Sequence, residues 1–231
     1  MAFVATTSYN NGKPFSWSYS KLKNYRTCPK RHYHCDVAKD VKEPETPQLL
    51  WGNTLHKAFA DYVAKGTALP EGMQTYQPLL DRLKAYPGDT LVEQQLAITK
   101  DFAPCEWFSR QAWYRGIGDI VKIHGELGYA GDYKTGKVVE DSEQLGLLAS
   151  CLFAHYPKLQ AVRTEFLWLA HDAVTRCTFK RSEMAGFWAQ VLPEVRGLQQ
   201  AHEASEFPAR PSGLCKKYCP VKQCVHNGAN G

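Results

Sequence analysis

The spacing of apolar residues changes several times along this chain, and each change predicts a different kind of element. Leu55, Phe59 and Tyr62 are four and three residues apart, which predicts one apolar face of a helix. From Leu91 the apolar and polar residues alternate, as they do in a half-buried strand. We expect helices over residues 18–28, 50–65, 76–85, 141–156 and 182–203, and strands over residues 91–99, 112–123, 126–134, 160–170 and 174–179.

This order of helices and strands predicts the α/β class with a mixed sheet. The chain has 231 residues, of which 44% are hydrophobic, so it can bury a sizeable core. We expect one domain over residues 1–231, with its core over residues 50–203.

Composition narrows the classes of function. No apolar run is long enough for a transmembrane helix, and residues 1–7 lack the charged and apolar regions of a secretory signal. We therefore expect a cytoplasmic protein without membrane contact. The net charge of +5 is compatible with DNA as a partner but does not establish it.

The segment from Gly131 to Gly136 carries the first candidate chemistry. Asp132 and Lys134 are two residues apart on a predicted strand, so they share a face, and a hairpin would bring Asp119 beside Asp132. Two carboxylates with a lysine nearby suit a divalent cation and an attacking water. Taken alone, the Asp–Lys pair is also compatible with a surface ion pair beside a turn.

Residues 16–35 combine aromatic and basic side chains. Five of the eleven residues from Lys21 to Arg31 are lysine or arginine. A solvated helix face and a phosphate-binding surface explain this pattern about equally well. The candidate DNA-binding residues are Lys21, Lys23, Tyr25, Arg26, Lys30 and Arg31.

In combination, these motifs resemble those of the PD-(D/E)XK nuclease superfamily, and within it the RecB-type exonuclease branch. The matching elements are Gly52-x-x-x-His56, Gly118-Asp119, Gly131-Asp-Tyr-Lys134-Thr and Gln144 at the start of the next helix. Residues 16–35 look like the N-terminal element of that branch, and Cys215, Cys219-Pro220 and Cys224 look like its cysteine triplet. Such enzymes include CRISPR-adaptation nucleases, the AddB nuclease domain and many phage exonucleases.

The resemblance implies a restriction-endonuclease-like fold. Its mixed central sheet would be flanked by helices, and its N- and C-terminal segments would join at a cysteine-ligated metal cluster. Those two segments are residues 16–35 and 207–228. Gly131 stands where the superfamily motif has proline, which is usual in this branch. The chain departs from the branch at Leu148 instead of tyrosine and in the C-x3-C-x4-C spacing of the cysteines.

The predicted catalytic residues are Lys134, Asp119 and Asp132. Asp119 and Asp132 can hold Mg²⁺ or Mn²⁺, and His56 would add a nitrogen ligand that favours Mn²⁺. The resemblance adds the backbone carbonyl of Tyr133 as a metal ligand and Gln144 as a DNA-binding residue. Glu93 is either a further ligand or a strand residue facing solvent.

The eight cysteines fall into two groups. Cys28, Cys215, Cys219 and Cys224 lie in predicted loops, and four thiolates suit a 4Fe–4S cluster or Zn²⁺. The resemblance favours iron–sulfur. A shared cluster would also bring Lys216, Lys217 and Lys222 to the basic residues of the N-terminal segment. We expect Cys35, Cys105, Cys151 and Cys177 to be packed thiols.

The sequence thus predicts a metal-dependent DNA exonuclease of a phage or CRISPR-type system, in a bacterial or phage-infected cell, with recombination or CRISPR-type protein partners. The alternatives are a structure-selective or site-specific endonuclease of the same fold and a non-catalytic DNA-binding recombination subunit. An iron–sulfur electron carrier is a weaker alternative, because it would not need the Asp–Lys motif.

Overall fold

The computed structural model describes residues 14–139 and 141–230. Residues 1–7, where we expect no secretory signal, lie outside this range. The chain divides into two compact units. The first, here called the sheet unit, consists of Glu45–Phe187. The second, here called the terminal unit, consists of the residues up to Pro44 and those from Trp188 onward. The expectation of a single domain stays a prediction.

Five α-helices agree with the predicted ones in place and approximate length, whereas the four-residue helices over Pro29–His32 and Leu214–Lys217 were not predicted. The α-helices are α1 (Tyr19–Thr27), α2 (Pro29–His32), α3 (Pro47–Lys65), α4 (Gln77–Lys84), α5 (Glu143–His155), α6 (Met184–Ala204) and α7 (Leu214–Lys217). A π-helical turn over Tyr33–Val37 follows α2. Within the part of the chain that the structure describes, no helix is both long and apolar enough to cross a membrane.

The strands form one mixed sheet, which confirms the predicted fold class. They are β1 (Asp89–Ile98), β2 (Pro104–Cys105), β3 (Tyr114–His124), β4 (Leu127–Lys134), β5 (Ala161–Trp168) and β6 (Ala173–Lys180). Their order across the sheet is β2-β1-β3-β4-β5-β6. Only β4 and β5 run parallel, and the other neighbouring strands are antiparallel. The two-residue strand β2 was not predicted, since so short a pairing has no periodicity.

Side-chain caps determine where two of the helices begin. The Ser18 hydroxyl accepts a hydrogen bond from the Lys21 N–H at 3.5 Å, and α1 starts at the next residue. Thr46 caps α3 through the Leu49 N–H at 3.2 Å. Because Pro47 fits the first helical position, α3 begins three residues before the predicted Leu50.

Both faces of the sheet are covered within the sheet unit. Leu55 and Phe59 of α3 pack with Tyr129 and Tyr133 of β4 in one apolar cluster. Leu145 of α5 packs with Phe166 and Trp168 of β5 in another. The two clusters hold β4 between α3 and α5, and β4 is the strand that carries Asp132 and Lys134.

The terminal unit has a smaller core. Trp17 meets Trp188 edge to face at 6.4 Å between ring centroids, and Leu22 of α1 is fully buried. The Tyr25 hydroxyl donates to the Gly197 carbonyl at 3.1 Å, which ties α1 to the second half of α6. These contacts join residues more than 160 positions apart, so local sequence does not predict them.

Candidate active site

The site begins where β3 and β4 separate. The pairing of these strands runs from His124↔Leu127 to Ile120↔Gly131 and then stops. Beyond that point the Asp119 carboxylate replaces a backbone acceptor of β3, because its Oδ2 accepts a hydrogen bond from the Tyr133 N–H at 2.7 Å. The predicted hairpin is therefore present, and it places a buried carboxylate at the fork.

Two glycines make this fork sterically feasible. A Cβ at Gly131 would lie 2.9 Å from both Ile120 Cγ2 and the Tyr129 hydroxyl, and one at Gly118 would lie 2.7 Å from Val121 Cγ2. No side chain fits at either distance without displacing a core neighbour. This explains why glycine stands at position 131, where the superfamily motif has proline.

His56 projects from α3 onto the fork. Its Nδ1 lies 3.3 Å from Asp119 Oδ1 and its Nε2 lies 3.1 Å from the Tyr133 carbonyl oxygen. Burial lowers the pKa of His56, but the hydrogen bond and charge of Asp119 outweigh burial and raise the pKa above its usual value. The ring is thus fixed between two of the oxygens predicted as metal ligands.

Glu93 of β1 completes this group. Ligand atoms of His56, Glu93 and Asp119 all lie within 4.8 Å of one another. Glu93 has a positive φ of 48°, and its place in the β1–β3 register is opposite Asp119. A left-handed non-glycine residue inside a strand is strained, and such strain is often found at functional sites. Burial, followed by repulsion from Asp119, raises the pKa of Glu93.

Asp132 lies on β4 beside this group, with different partners. Its Oδ1 accepts a hydrogen bond from Gln144 Nε2 at 2.9 Å, and its Oδ2 forms an ion pair with Lys134 Nζ at 2.6 Å. Oδ2 is buried, and the Lys134 ammonium is its partner. Burial and the nearby Asp119 raise the pKa of Asp132, although Lys134 opposes them.

Lys134 is held in place by three neighbours. Besides the Asp132 ion pair, Nζ donates to Gln144 Oε1 at 3.1 Å and lies 4.8 Å from the centre of the Phe166 ring. Gln144 therefore bridges Asp132 and Lys134, a role that the sequence did not reveal. Leu148, one turn further along α5, is buried with its side chain towards Gly118 and offers no hydroxyl.

These donors fit a hard divalent cation. Carboxylate and carbonyl oxygens with one imidazole are the ligand types that Mg²⁺ and Mn²⁺ accept. The pKa values of Glu93 and Asp132 are raised, in part by repulsion from Asp119, and a bound cation would relieve that repulsion. The residues present are thus compatible with the predicted metal.

The four cysteines that were predicted to hold a metal cluster lie near one another in the terminal unit. Cys28, Cys215, Cys219 and Cys224 line one cavity of about 150 Å³. All eight cysteines are free thiols. Backbone N–H groups of Arg210 and Ser212 point at Cys28 Sγ and Cys215 Sγ, each at 3.3 Å. Hydrogen bonds of this kind stabilise thiolate ligands, so the residues fit a cysteine-ligated group.

Some of the predicted DNA-binding residues of the terminal unit have partners within the protein, and others are exposed to solvent. Tyr25 donates to Gly197, Arg26 pairs with Glu194, and Arg31 pairs with Glu43 and donates to Asn24 at 2.9 Å. Lys21 Nζ lies 3.5 Å from the Ser16 carbonyl oxygen. The exposed lysines are Lys23, Lys216, Lys217 and Lys222, and Lys30 lines the cysteine cavity. Contact with DNA stays a prediction for all of them.

Comparison with known proteins agrees with this geometry. A family model of the PD-(D/E)XK nuclease superfamily matches residues 16–116, which include His56 and Glu93 and end before Asp119. The match supports the resemblance to this superfamily over fewer than half of the chain's residues. No curated protein matches the chain.

Two solved structures are similar to it. One is a Eubacterium rectale protein assigned provisionally as an exonuclease, with a TM-score of 0.50, 10% identity, and coverage of 100% of this chain and 94% of that one. It shows the same fold. The other, SSO0001, has a TM-score of 0.41, 12% identity, and coverage of 92% and 87%, and we draw nothing from it.

Proposed function

We propose that this chain, whose residues 16–116 match the PD-(D/E)XK nuclease superfamily, is a metal-dependent deoxyribonuclease that removes nucleotides from DNA ends. The observation that carries the proposal is the convergence of His56, Glu93 and Asp119 at the fork, with the Tyr133 carbonyl beside them. A buried Asp–Lys pair adjoins this group. Asp119 and Asp132 are both buried, and keeping two neighbouring carboxylates in the interior costs the fold free energy even when each has a partner.

Metal binding is assigned to His56, Asp119, Asp132 and the Tyr133 carbonyl, with Glu93 as a further ligand. When bound, a divalent cation supplies a nucleophile at neutral pH and neutralises charge on the scissile phosphate. The choice between Mg²⁺ and Mn²⁺ depends on His56, since an imidazole ligand favours Mn²⁺ more than an all-oxygen site does.

The chain's own residues position the reactants. Asp132 and Gln144 hold the Lys134 ammonium at the fork, where it can orient a water or stabilise negative charge on a phosphate oxygen. Asp119 fixes the backbone of Tyr133 through its N–H and thereby aims the neighbouring carbonyl at His56. Such preorganisation lowers the barrier, because little rearrangement is left for the reaction.

The decisive experiment is digestion of end-labelled linear DNA and of a closed circle, with Mg²⁺, Mn²⁺ or EDTA. An exonuclease releases nucleotides from the linear DNA and leaves the circle intact. Cutting of the circle would support the endonuclease alternative. If neither substrate is cut with either metal, while the protein still binds DNA, the non-catalytic subunit becomes the better explanation.

The assignment to the RecB-type branch extends the proposal to the terminal unit. The four cysteines around one cavity, with two N–H···S contacts, support a 4Fe–4S cluster, and Zn²⁺ is the alternative. A phage or CRISPR-type role in DNA processing follows from that branch alone. Anaerobically purified protein should absorb broadly near 400 nm and contain iron, whereas stoichiometric zinc in a colourless protein would replace the cluster by a zinc site.

A further inference from the structure

One phenylalanine of the sheet unit is held almost entirely in solvent. Phe108 is 88% exposed, in a turn closed by a hydrogen bond from the Ser109 N–H to the Glu106 carbonyl at 3.0 Å. An apolar ring presented in this way adds nothing to the core. Single exposed apolar residues are common on protein surfaces, so what Phe108 can do depends on how the turn is held and where it lies relative to the site.

Arg115 of β3 holds the turn around Phe108 in place through hydrogen bonds to its backbone. The guanidinium donates to the Trp107 carbonyl at 2.7 Å and to the Ser109 carbonyl at 3.4 Å, on either side of Phe108. It also lies 5.9 Å from the centre of the Trp107 ring. Two carbonyls of the turn are thus fixed to the sheet, so Phe108 does not gain its exposure from a loose loop.

This turn lies at the same end of the sheet as the candidate active site. The loop that contains Phe108 leads into the start of β3, and β3 is antiparallel to β4. The start of β3 therefore lies at the end where β4 finishes with Lys134. Leu127, which is 59% exposed, begins β4 at the opposite end.

One face of β3 connects the two places. A Cβ on Gly118 would point at Leu148 of α5, 3.5 Å away, so Ile117 and Asp119 point to the other face, where Asp119 meets His56. Arg115 shares that face, and Ile117 between them is 42% exposed. Four residues of strand, about 13 Å, separate Asp119 from Arg115, a length of about four stacked nucleotides.

We propose that Phe108 forms a nucleobase-binding subsite of this active site, in which it stacks on a base of the DNA strand that runs from Asp119 past Ile117. The proposal rests on the proposed nuclease function. Stacking on an aromatic ring suits an enzyme that must pass along any sequence, because every base offers a flat face. The pairing of β3 with β4 ends at Ile120, so β4 does not lie beside the segment of β3 that precedes Ile120.

The test compares a long substrate with one too short to reach the subsite. For single-stranded DNA of about 20 nucleotides, Phe108→Ala should raise KM about tenfold and leave kcat unchanged. Hydrolysis of a thymidine 5′-phosphate nitrophenyl ester should not change, since it ends near the metal ligands. Phe108→Trp should restore the wild-type KM, and Leu127→Ala, the matched control, should leave every value unchanged.

An unchanged KM in Phe108→Ala, or an equal rise in Leu127→Ala, would overturn the subsite. Binding of the labelled oligonucleotide in EDTA, followed by fluorescence anisotropy, separates the subsite from the nuclease function. If the wild type cleaves nothing, the nuclease proposal fails, but about tenfold weaker binding by Phe108→Ala would still support stacking. Equal binding by both proteins would remove Phe108 from DNA recognition.

Discussion

The sheet unit and the terminal unit offer a cation opposite kinds of donor. The sheet unit gathers carboxylate and carbonyl oxygens around His56, which suits hard divalent ions. The terminal unit gathers four thiols around one cavity, which suits iron or zinc. Hydrolysis of a phosphodiester needs the first kind of site and no electron transfer, so the proposed function places the chemistry in the sheet unit and leaves the thiols a structural role.

The two sites also differ in what holds their ligands. Asp119 and Asp132 lie on central strands between two apolar clusters, so the sheet unit positions them without an ion. Cys215, Cys219 and Cys224 lie on the four-residue helix α7 and the turns around it. This tail has few apolar residues to bury, so a bound metal would contribute much of its stability.

Two histidines show the same contrast in their titration. The carboxylate of Asp119 overcomes burial and raises the pKa of His56. In the terminal unit, burial and the neighbouring His32 lower the pKa of His202 to about 4. At His56 a neighbouring carboxylate decides the direction of the pKa shift, whereas at His202 burial decides it.

The largest expected effect is on catalysis. Asp119→Ala should reduce DNA cleavage by about 10³-fold or more, because residues that act as one unit fail together. Asp132→Ala and Lys134→Ala should do the same. The melting temperature should stay within a few degrees of the wild type. Rates are measured on end-labelled linear DNA, and unfolding is followed by circular dichroism.

The matched control is Asp61→Ala, which removes a carboxylate of α3 that forms ion pairs with Lys57 and Lys65. It should cleave DNA at the wild-type rate. Retained cleavage in Asp132→Ala would contradict the active-site assignment, and retained cleavage in Lys134→Ala would remove Lys134 from the mechanism.

The next effect tests whether the thiols are structural. Cys219→Ala should abolish the absorption near 400 nm, lower the melting temperature by about 5 °C or more, and increase tryptic cutting after Lys216 and Lys217. Cys177→Ala, in β6 of the sheet unit, should change none of these. A metal-free wild type with a protease-resistant tail would show that the terminal unit needs no metal.

Acid should weaken the terminal unit before the sheet unit. Burial lowers the pKa of His202 from its ordinary 6.5 to about 4 in the folded chain, so its contribution to stability is complete above pH 6.5 and is lost as the pH falls towards 4. After a discount for partial exposure of the ring, the loss is about 1–2 kcal/mol. The nearby groups are His32, whose Nε2 is 2.9 Å from that of His202, together with Lys21 and Asp36.

Hydrogen exchange at pH 7.5 and pH 5 measures this effect in each unit. Amides of α1 should lose protection at the lower pH more than amides of β3. His202→Gln should remove most of the difference, because a neutral amide does not titrate. Equal loss in both units of the wild type would contradict the assignment to His202.

The smallest effect concerns the exposed lysines of the tail. Replacing Lys216 and Lys217 together by alanine should weaken DNA binding a few-fold and flatten the slope of log K against log salt by about 1.5. Lys158→Ala, at an exposed position of the sheet unit, serves as the control and should leave the slope unchanged. An unchanged slope in the double variant would place the DNA contacts elsewhere.

Much of the fold follows from local sequence. The apolar spacing of Leu55, Phe59 and Tyr62 correctly predicts the buried face of α3, and the alternation after Leu91 predicts β1. Gly131-Asp-Tyr-Lys134 correctly predicts a strand that pairs with β3. These features depend on periodicity and caps, which act over a few residues and are therefore visible in the sequence.

Only the tertiary structure places Glu93 in a left-handed conformation opposite Asp119, joins Gln144 to both Asp132 and Lys134, and buries Asp132 Oδ2 against the Lys134 ammonium. The sequence names most of these residues but does not give their partners. Likewise, no periodicity in the sequence predicts the hydrogen bonds of Arg115 to the turn around Phe108. Such contacts depend on how strands diverge and helices pack, which is decided by the burial of the whole chain rather than by any short segment.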